Sequence, residues 1–379
     1  MHLQFFRRIA RIKSFMKSQS KKFVRLFLCA VLLFAQINFS FAFETDQYNL
    51  PLEPLADTGA EVSEYVEQNV REALGKINSE IVARQNCLDK IGEKLQKIKC
   101  DSPQKEREKL AALQSEDTIA GAVFDQLGAG FPPFTKSGSW MENHKFKAQR
   151  SRYKTSFRQS IFFAAPSNYL TISSTVNLYG AHFGTDKIAH FFQQGFSYYK
   201  IYKRALASGA TAEKAVEKAV DWGKSTENTF YGTLVSGVFS NADLCANFVG
   251  LKFYQNLTRE IKIGNETKAA ILLVKNGAWT FNKNAVSRAE NLLKPFLSNH
   301  LNEALNPSIY VVGLRSSVRK TVKRQSCKQW REQFPNQTQA DFENQTRSLV
   351  FWHGEDYGFK QSGKFITIAN TCFADGKSK

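Results

Sequence analysis

Five polar residues in the middle of the chain have types and spacings that could support chemistry. Asp186 and His190 are four residues apart, and so are Asp243 and Asn247, so each pair would share one face of a helix. Glu227 lies between the two pairs in the sequence. Phenylalanine and leucine residues lie close to them, and an unpaired charge is costly to bury among such neighbours. If the side chains converge, they could orient one another, transfer protons or hold a divalent cation.

Two chemical roles are open for this set. In an acid–base hydrolase, Glu227 or Asp243 would be the catalytic carboxylate and His190 its partner. In a metal-dependent enzyme, the candidate ligands of a divalent cation are Asp186, His190, Glu227 and Asp243. Each pair also has a simpler interpretation as a contact on a helix surface, and Asp243 could complement a helix N-terminus. The residues alone therefore leave open whether the protein is an enzyme.

The same residues lie in a pattern that resembles a known family. The segments TDKIAHFF and SNADLCANFVG, with a glutamate between them, are similar to the VanZ-like proteins and to a related group of uncharacterised periplasmic lipoproteins. The shared pattern is Asp-Lys-x-x-His-Phe, then a glutamate on the next helix, then Ser-x-x-Asp-x-x-x-Asn-x-x-Gly. The matching positions are Asp186, Lys187, His190, Phe191, Glu227, Ser240, Asp243, Asn247 and Gly250.

The resemblance implies a binding site and a compartment, but no reaction. It places Lys187 and Ser240 with Asp186 and Asn247 as candidate binding residues, and it implies a location in the bacterial cell envelope. VanZ-like proteins span the membrane several times. Beyond the N-terminal segment, this chain has no apolar run that approaches the ~20 residues needed to span a bilayer. We therefore expect no transmembrane helix in the mature chain.

The first residues of the chain, 1–42, are predicted to be a signal peptide. Eight basic residues and no acidic ones precede the apolar run LFLCAVLLF, and Ser40 and Ala42 supply small residues before a cleavage site. This order of regions is typical of secretory signals, so we expect cleavage after Ala42, with translation beginning at Met1 or Met16. The mature protein would then be periplasmic or associated with the outer membrane.

The positive charge of the chain bears on its partners. The formal net charge of the full sequence is +18, and residues 1–42 carry eight of those charges, so the mature chain carries 18 − 8 = +10. Such an excess favours anionic partners, here a membrane surface or a cell-wall polymer. We expect no nucleic acid partner, because the sequence contains no recognisable nucleic-acid-binding module. The densest basic run comprises Arg315, Arg319, Lys320, Lys323 and Arg324.

The cysteines predict disulfides in an exported protein. Cys327 and Cys372 form the first predicted pair, and Cys87 and Cys100 the second. The second pair requires a break in the helix between its members, for which Gly92 is the candidate, because a continuous helix would hold them ~20 Å apart. Cys245 lies in an apolar run and is predicted to be a buried thiol outside any disulfide.

The predicted fold class is mainly α, with a helical core, an N-terminal helical hairpin and short β-strands in the C-terminal third. Apolar residues at steps of three and four predict the hairpin, and helices near 185–206, 211–234 and 240–261 carry the polar residues. A further helix is predicted over 286–305, and strands are predicted in YVVGL, SLVFW and FITIA. The predicted regions are the signal peptide, a lead-in and hairpin arm at 43–130, a helical core domain with the polar cluster at 140–305, and a small strand-containing region at 306–379.

Three hypotheses for the function follow from these features. The first is an exported cell-envelope protein whose buried polar cluster is structural or binds a partner. The second is a metal-dependent or acid–base hydrolase that acts on a cell-wall or lipid substrate. The third is a module that lies on an anionic membrane. The chain contains no G-x-S-x-G, no glycine-rich phosphate loop and no H-E-x-x-H, which argues against serine hydrolases of that type, nucleotide-dependent enzymes and zinc proteases.

Overall fold

The fold consists mainly of helices, with short antiparallel strand pairs between them. We describe it from a computed structural model, for residues 44–89, 100–131, 134–164, 172–229, 231–306, 308–353 and 365–374. The predicted signal peptide and the predicted helix break at Gly92 lie outside these residues. The predicted fold class, mainly α with short strands in the C-terminal part, is confirmed.

The helices follow one another along the whole described chain. They are α1 (Gly59–Asp89), α2 (Pro103–Leu113), α3 (Glu116–Leu127), α4 (Lys136–Asn143), α5 (Asp186–Ala189), α6 (Gly195–Ala207), α7 (Ala212–Glu227), α8 (Asn241–Asn256), α9 (Glu290–Leu293), α10 (Val312–Thr321), α11 (Cys327–Gln333), α12 (Gln339–His353) and α13 (Ile368–Cys372). A first π turn (His190–Gln194) joins α5 to α6, and a second π turn (Val322–Ser326) joins α10 to α11.

All strands are short, and all the strand pairs are antiparallel. The strands are β1 (Gly130–Phe131), β2 (Phe134–Thr135), β3 (Arg152–Tyr153), β4 (Thr175–Leu178), β5 (Ala181–Gly184), β6 (Val238–Ser240), β7 (Ile261–Ile263), β8 (Glu266–Lys268), β9 (Leu272–Lys275), β10 (Ala278–Phe281), β11 (Ser308–Tyr310) and β12 (Phe365–Ile366). Two sheets have three strands, in the orders β3-β4-β5 and β12-β11-β6, and the remaining strands form hairpins.

Two segments differ from the prediction. The prediction of one helix over 286–305 is wrong. The short helix α9 and two 3₁₀ turns occupy this stretch. A longer α-helix is interrupted because Pro295 cannot continue it. The run SLVFW lies in α12 rather than in a strand. Short apolar runs do not distinguish a strand from a helix segment. The runs YVVGL and FITIA contribute residues to β11 and β12 before the chain continues into α10 and α13.

Two of the helices that carry the polar residues have a side-chain cap at their N-terminus. The hydroxyls of Thr211 and Ser240 each accept a hydrogen bond from the backbone amide three residues later, at the starts of α7 and α8. A cap of this kind stabilises a helix by ~1 kcal/mol. Both helices end earlier than predicted. The predicted helices reached Leu234 and Ile261, but Leu234 lies in a turn and Ile261 lies in β7.

The helices that follow β5 are packed closely, because glycines lie where the first π turn and α6 meet α8. A Cβ atom at Gly195 would lie 2.5 Å from the Cα of Gly250, and one at Gly250 would overlap the carbonyl oxygen of Phe191. Both approaches are closer than van der Waals contact. Gly250 is the last position of the VanZ-like pattern, and its place in this fold is explained by packing.

The hydrophobic interior contains two clusters. The first is formed by α1, α3, α6, α7 and α8, and includes Val66 and Phe253. The second is formed largely by the C-terminal part of the chain, around Tyr310 and Trp330, together with Tyr48 from the N-terminal end. The described residues all belong to one compact unit. The apolar face of α1 is therefore part of the main interior.

An extended segment at the N-terminal end, which we call the N-terminal strap (Glu44–Asn49), is buried at every residue. The indole nitrogen of Trp330 donates to the carbonyl oxygen of Tyr48, and the Tyr48 hydroxyl donates to the carbonyl oxygen of Ile366. These bonds attach the strap to the second hydrophobic cluster. The chain that follows the predicted cleavage site is thus part of the interior.

Both predicted cysteine pairs are disulfides. The Cα atoms are 5.6 Å apart in Cys87–Cys100 and 4.9 Å apart in Cys327–Cys372. The second disulfide has the longer sequence separation, 45 residues, and a loop of this length is worth ~4 kcal/mol in the chain-entropy model. Cys245 is buried and belongs to neither disulfide. Within the described residues, no helix has the length and apolar character needed to cross a membrane.

Candidate functional site

The centre of the candidate site is Lys187, a lysine with no solvent exposure. Its ammonium nitrogen lies 2.6 Å from Asp186 Oδ2, 2.6 Å from Asp243 Oδ1 and 2.6 Å from Glu303 Oε1. The contact with Asp186 is also a hydrogen bond, and the contacts with Asp243 and Glu303 are ion pairs. These carboxylates come from α5, from α8 and from the segment before β11. One side chain therefore connects three distant parts of the chain.

The carboxylate of Glu303 is held by two hydroxyl groups. Ser240 Oγ donates to Glu303 Oε1 at 2.6 Å, and Ser308 Oγ donates to Glu303 Oε2 at 2.7 Å. The Ser240 hydroxyl also accepts from the backbone amide of Asp243 at 3.0 Å as the cap of α8. Ser240 is therefore both a helix cap and a contact of the charged cluster.

Asp186 contacts the N-terminal strap. Thr45 Oγ1 donates to Asp186 Oδ1 at 2.6 Å, while the other carboxylate oxygen faces Lys187. Gly184 at the end of β5 permits this contact, because a Cβ atom there would overlap both Thr45 Oγ1 and Asp186 Oδ1. The strap thus supplies part of the site.

His190 lies at the edge of the cluster, in the first π turn. Its Nδ1 is 3.1 Å from Asn247 Oδ1, and its Nε2 is 3.7 Å from Asp243 Oδ2. Helical spacing favoured a contact between the side chains of His190 and Asp186, but Asp186 contacts Lys187 and Thr45, and His190 contacts Asn247 and Asp243. The side chain of His190 is 11 % exposed, against 2 % or less for Asp186, Lys187, Asp243 and Glu303.

Two further carboxyl groups complete the cluster. Glu227, the last residue of α7, accepts a hydrogen bond from the backbone amide of Ser240 at 2.9 Å. Glu44, the first residue of the strap, has a carboxylate oxygen within 4.8 Å of ligand oxygens of Asp243 and Glu303. Both glutamates are buried. Five buried carboxyl groups therefore belong to the cluster, and Glu227 joins it through Ser240 rather than through Lys187.

The protonation of these groups follows from burial and from their neighbours. Burial disfavours the charged form of Lys187, but Asp186, Asp243 and Glu303 outweigh this effect and raise its pKa well above the ordinary value. Burial, followed by the charge of Asp243, raises the pKa of Glu44 and of Glu227 well above the ordinary value for glutamate. Lys187 therefore stays charged at neutral pH, and the neutral forms of Glu44 and Glu227 are favoured.

The members of the cluster form a buried ion network. A groove of about 650 Å³ is lined by Tyr202, Val216, Val220, Lys252 and Arg259 among others, and it includes no residue of the network. The polar groups are satisfied mainly by one another. In chemical terms, the set is suited to holding charge in place, and His190 is the member with access to solvent for proton transfer.

All the residues that the sequence nominated are connected in the structure. Asp186, Lys187, His190, Glu227, Ser240, Asp243 and Asn247 form one chain of hydrogen bonds and ion pairs through Glu303. Whether any of them is catalytic, binds a partner or binds a metal stays a prediction.

Four contributors were missed from the sequence, namely Glu44, Thr45, Glu303 and Ser308. Glu303 carried a signal that could have been used. It is the only acidic residue between Glu290 and Glu332, and it stands between Leu301 and Leu305; an acid that is buried beside such neighbours needs a partner. Glu44 and Thr45 carried no comparable signal, because their segment has no periodic pattern.

Comparison with known proteins yields no relative. The sequence matches no family model, and no curated protein and no solved structure is significantly similar to it. The resemblance to VanZ-like proteins therefore stays a prediction, carried by the motif residues alone.

Replacement of Lys187 tests whether the network holds the fold together. Lys187→Met should lower the free energy of unfolding by about 3–5 kcal/mol, because it leaves buried carboxylates without a counter-charge. Urea unfolding near neutral pH measures the change. Lys214→Met is the matched control, because Lys214 pairs with Glu217 at the surface and its loss should barely alter the unfolding curve. Equal effects of the two substitutions would contradict a stabilising network.

Replacement of Glu227 tests the protonation of the cluster. A carboxyl group whose pKa is higher in the folded state lowers stability as the pH rises above its unfolded value. Glu227→Gln keeps the acceptor for Ser240 and removes this titration. The variant should be more stable than the wild type near pH 8, and the difference should disappear near pH 4. Unfolding curves over this pH range measure the difference in stability, and exposed Glu260→Gln is the control. A difference that stays constant with pH would refute the raised pKa of Glu227.

Proposed function

We propose that this chain is an exported cell-envelope protein whose buried ion network is structural and whose basic surface binds anionic phospholipid. The burial of Lys187 among three carboxylates supports the structural role, since these groups are 2 % exposed or less. The two disulfides support an oxidising compartment. The export signal supports the location, and it lies outside the described residues.

The observation that carries the binding proposal is the exposed basic face of the helical stretch from α10 to α11. Leu314, Val318 and Val322 on its inner side are buried in the second hydrophobic cluster. Lys320, Lys323 and Arg324 are exposed. The buried side fixes the orientation of the stretch, so the three cations are presented to solvent.

These three cations lack an acidic partner among the residues that the structure describes. None of Lys320, Lys323 and Arg324 forms an ion pair with an acidic side chain in the described part of the chain. Neighbouring arginines serve the fold instead: Arg319 and Arg331 donate to backbone carbonyl oxygens near the C-terminal end. The unpaired charges are therefore available to an anionic surface.

Apolar residues next to the basic face favour a lipid surface over a soluble polyanion. Val311 and Val312 lie at the N-terminal end of α10, eight or more residues before Lys320, and are 39 % and 79 % exposed. Exposed aliphatic side chains beside lysine and arginine are typical of segments that bind at a membrane interface, where the cations meet headgroups and the apolar groups enter the acyl boundary. A cell-wall polymer would use the charges only.

The alternative function, a metal-dependent or acid–base hydrolase acting on cell-wall or lipid substrate, has one specific observation in its favour. His190 contacts Asp243 and keeps partial exposure at the edge of the network. A histidine beside a carboxylate can act as a general base. Hydrolysis of peptidoglycan or phospholipid by the wild type, lost in His190→Ala with the fold retained, would favour this alternative.

The export part of the proposal is tested by the mature N-terminus. The protein from the envelope fraction of a bacterial host should begin at Phe43, because the small residues before that position suit signal peptidase. N-terminal sequencing reads this directly. Mature protein that still contains residues from the 20–40 region would contradict cleavage after Ala42.

Vesicle binding tests the basic face. Mature protein should co-sediment with phosphatidylcholine vesicles that contain phosphatidylglycerol and not with phosphatidylcholine alone. The triple variant Lys320→Gln, Lys323→Gln, Arg324→Gln should bind about 100-fold more weakly at low salt, since each charge near an anionic surface contributes ~1 kcal/mol.

A second triple variant controls for net charge. Lys76→Gln, Lys105→Gln and Arg107→Gln remove the same number and types of exposed cations from α1 and α2. This variant should bind nearly as well as the wild type. If both triple variants lose affinity equally, binding depends on overall charge and the basic face is not a site. If the wild type binds purified cell-wall polymer but not vesicles, the partner is the polymer.

A further inference from the structure

The carboxyl groups around Lys187 outnumber the positive charges available to them. Glu44, Asp186, Glu227, Asp243 and Glu303 are all buried, and Lys187 is the ammonium group among them. Asp186 is satisfied by Lys187 and Thr45. Glu227 is held by Ser240. Asp243 and Glu303 share the Lys187 ammonium group with Asp186, and Glu44 forms no ion pair within the described residues.

Three of the carboxylates have the geometry of a cation site. Glu44, Asp243 and Glu303 each offer an oxygen, and these oxygens all lie within 4.8 Å of one another. Oxygen ligands lie 2.3–2.6 Å from Ca²⁺, so ligands on opposite sides of one ion are separated by ~5 Å. One ion of this size can therefore contact all three without a large movement of the backbone.

Glu44 provides an independent observation that points to a ligand. Its Oε1 atom is buried and has no hydrogen-bond partner in the described part of the chain, although Ser236 contacts the carboxyl group, and the residue is 1 % exposed. A buried polar atom without a partner is costly. The surrounding fold nevertheless holds this carboxylate in place, because the backbone carbonyl of Glu44 accepts a hydrogen bond from the amide of Ser173 at 2.8 Å.

We propose that Glu44, Asp243 and Glu303 bind a divalent cation of the oxygen-preferring kind, and Ca²⁺, whose ligand distances this spacing admits, is the ion with which we test it. The ion lies beside Lys187 and, together with it, balances the buried carboxylates. This assignment replaces the ligand set expected from the sequence, because Glu44 and Glu303 take the places of Asp186, His190 and Glu227. It goes beyond the proposed function, since it applies equally to a structural and to an enzymatic protein.

The site connects the N-terminal strap to the helical core. Asp243 lies in the first turn of α8, Glu303 lies before β11, and Glu44 begins the strap. A cation held by all three attaches the strap next to the contact between Thr45 and Asp186. Removal of the cation should therefore loosen the strap first.

Calcium binding by the mature protein tests the proposal. Protein with both disulfides intact is stripped with EDTA and dialysed, then titrated with CaCl₂ by calorimetry. The expected result is one calcium ion per chain, together with a rise in Tm when CaCl₂ is added. Glu44→Gln should weaken binding by at least about tenfold, because affinity for Ca²⁺ follows the number of charged ligands. Exposed Glu108→Gln should bind as the wild type does.

The remaining outcomes are also decisive. If the wild type shows no heat of binding and the same Tm in CaCl₂ and in EDTA, the site does not exist. If Glu44→Gln is more stable than the wild type and neither responds to Ca²⁺, protons rather than a cation neutralise the cluster. If Glu44→Gln fails to fold, the substitute experiment is hydrogen exchange of the N-terminal strap in the wild type, measured with and without Ca²⁺. Equal exchange rates under the two conditions overturn the proposal. Vesicle binding is measured separately, so failure of one proposal leaves the other standing.

Discussion

The burial of the Lys187 ammonium group is the constraint on which the rest of this structure depends. A lone charge in a protein interior is strongly unfavourable, and it persists only when ion pairs and hydrogen bonds replace the lost water. Here three carboxylates at 2.6 Å do so. Asp186 is the neighbouring residue, but Asp243 and Glu303 come from elsewhere in the chain. The fold must therefore close around the lysine before its charge is satisfied.

Several local features make this closure possible. The cap at Ser240 places Asp243 in the first turn of α8 and presents its own hydroxyl to Glu303. Gly184 leaves room for the bond between Thr45 and Asp186. The first π turn carries His190, and turns of this kind often occur at functional sites. Each feature is small in energy, and together they align groups from four separate segments.

The network also connects the interior of the molecule to the surface that carries the basic residues. Its members lie between the two hydrophobic clusters, since α8 belongs to the first and the segment around β11 belongs to the second. The second cluster in turn orients the stretch from α10 to α11, whose basic residues face solvent. The disulfide Cys327–Cys372 ties the end of this stretch to α13. The interior thus fixes the surface that we propose to bind lipid.

The sequence by itself determined the elements and most of the polar residues of the site. Periodic apolar residues predicted α1 and the helices from Asp186 to Asn256. Helical spacing nominated Asp186, His190, Asp243 and Asn247, and the resemblance to VanZ-like proteins added Lys187. These signals are local, because residues three or four positions apart in the sequence lie on the same face of a helix. Cysteine count and context also predicted both disulfides.

Only the tertiary structure decided which residues are partners. Helical spacing paired Asp186 with His190, whereas the folded chain pairs Asp186 with Thr45 and His190 with Asn247. Glu303 and the strap entered the network from segments without a periodic pattern. Contacts between residues more than a hundred positions apart leave no local trace in one sequence. They depend on how helices pack, and packing is decided by the shape of the whole interior.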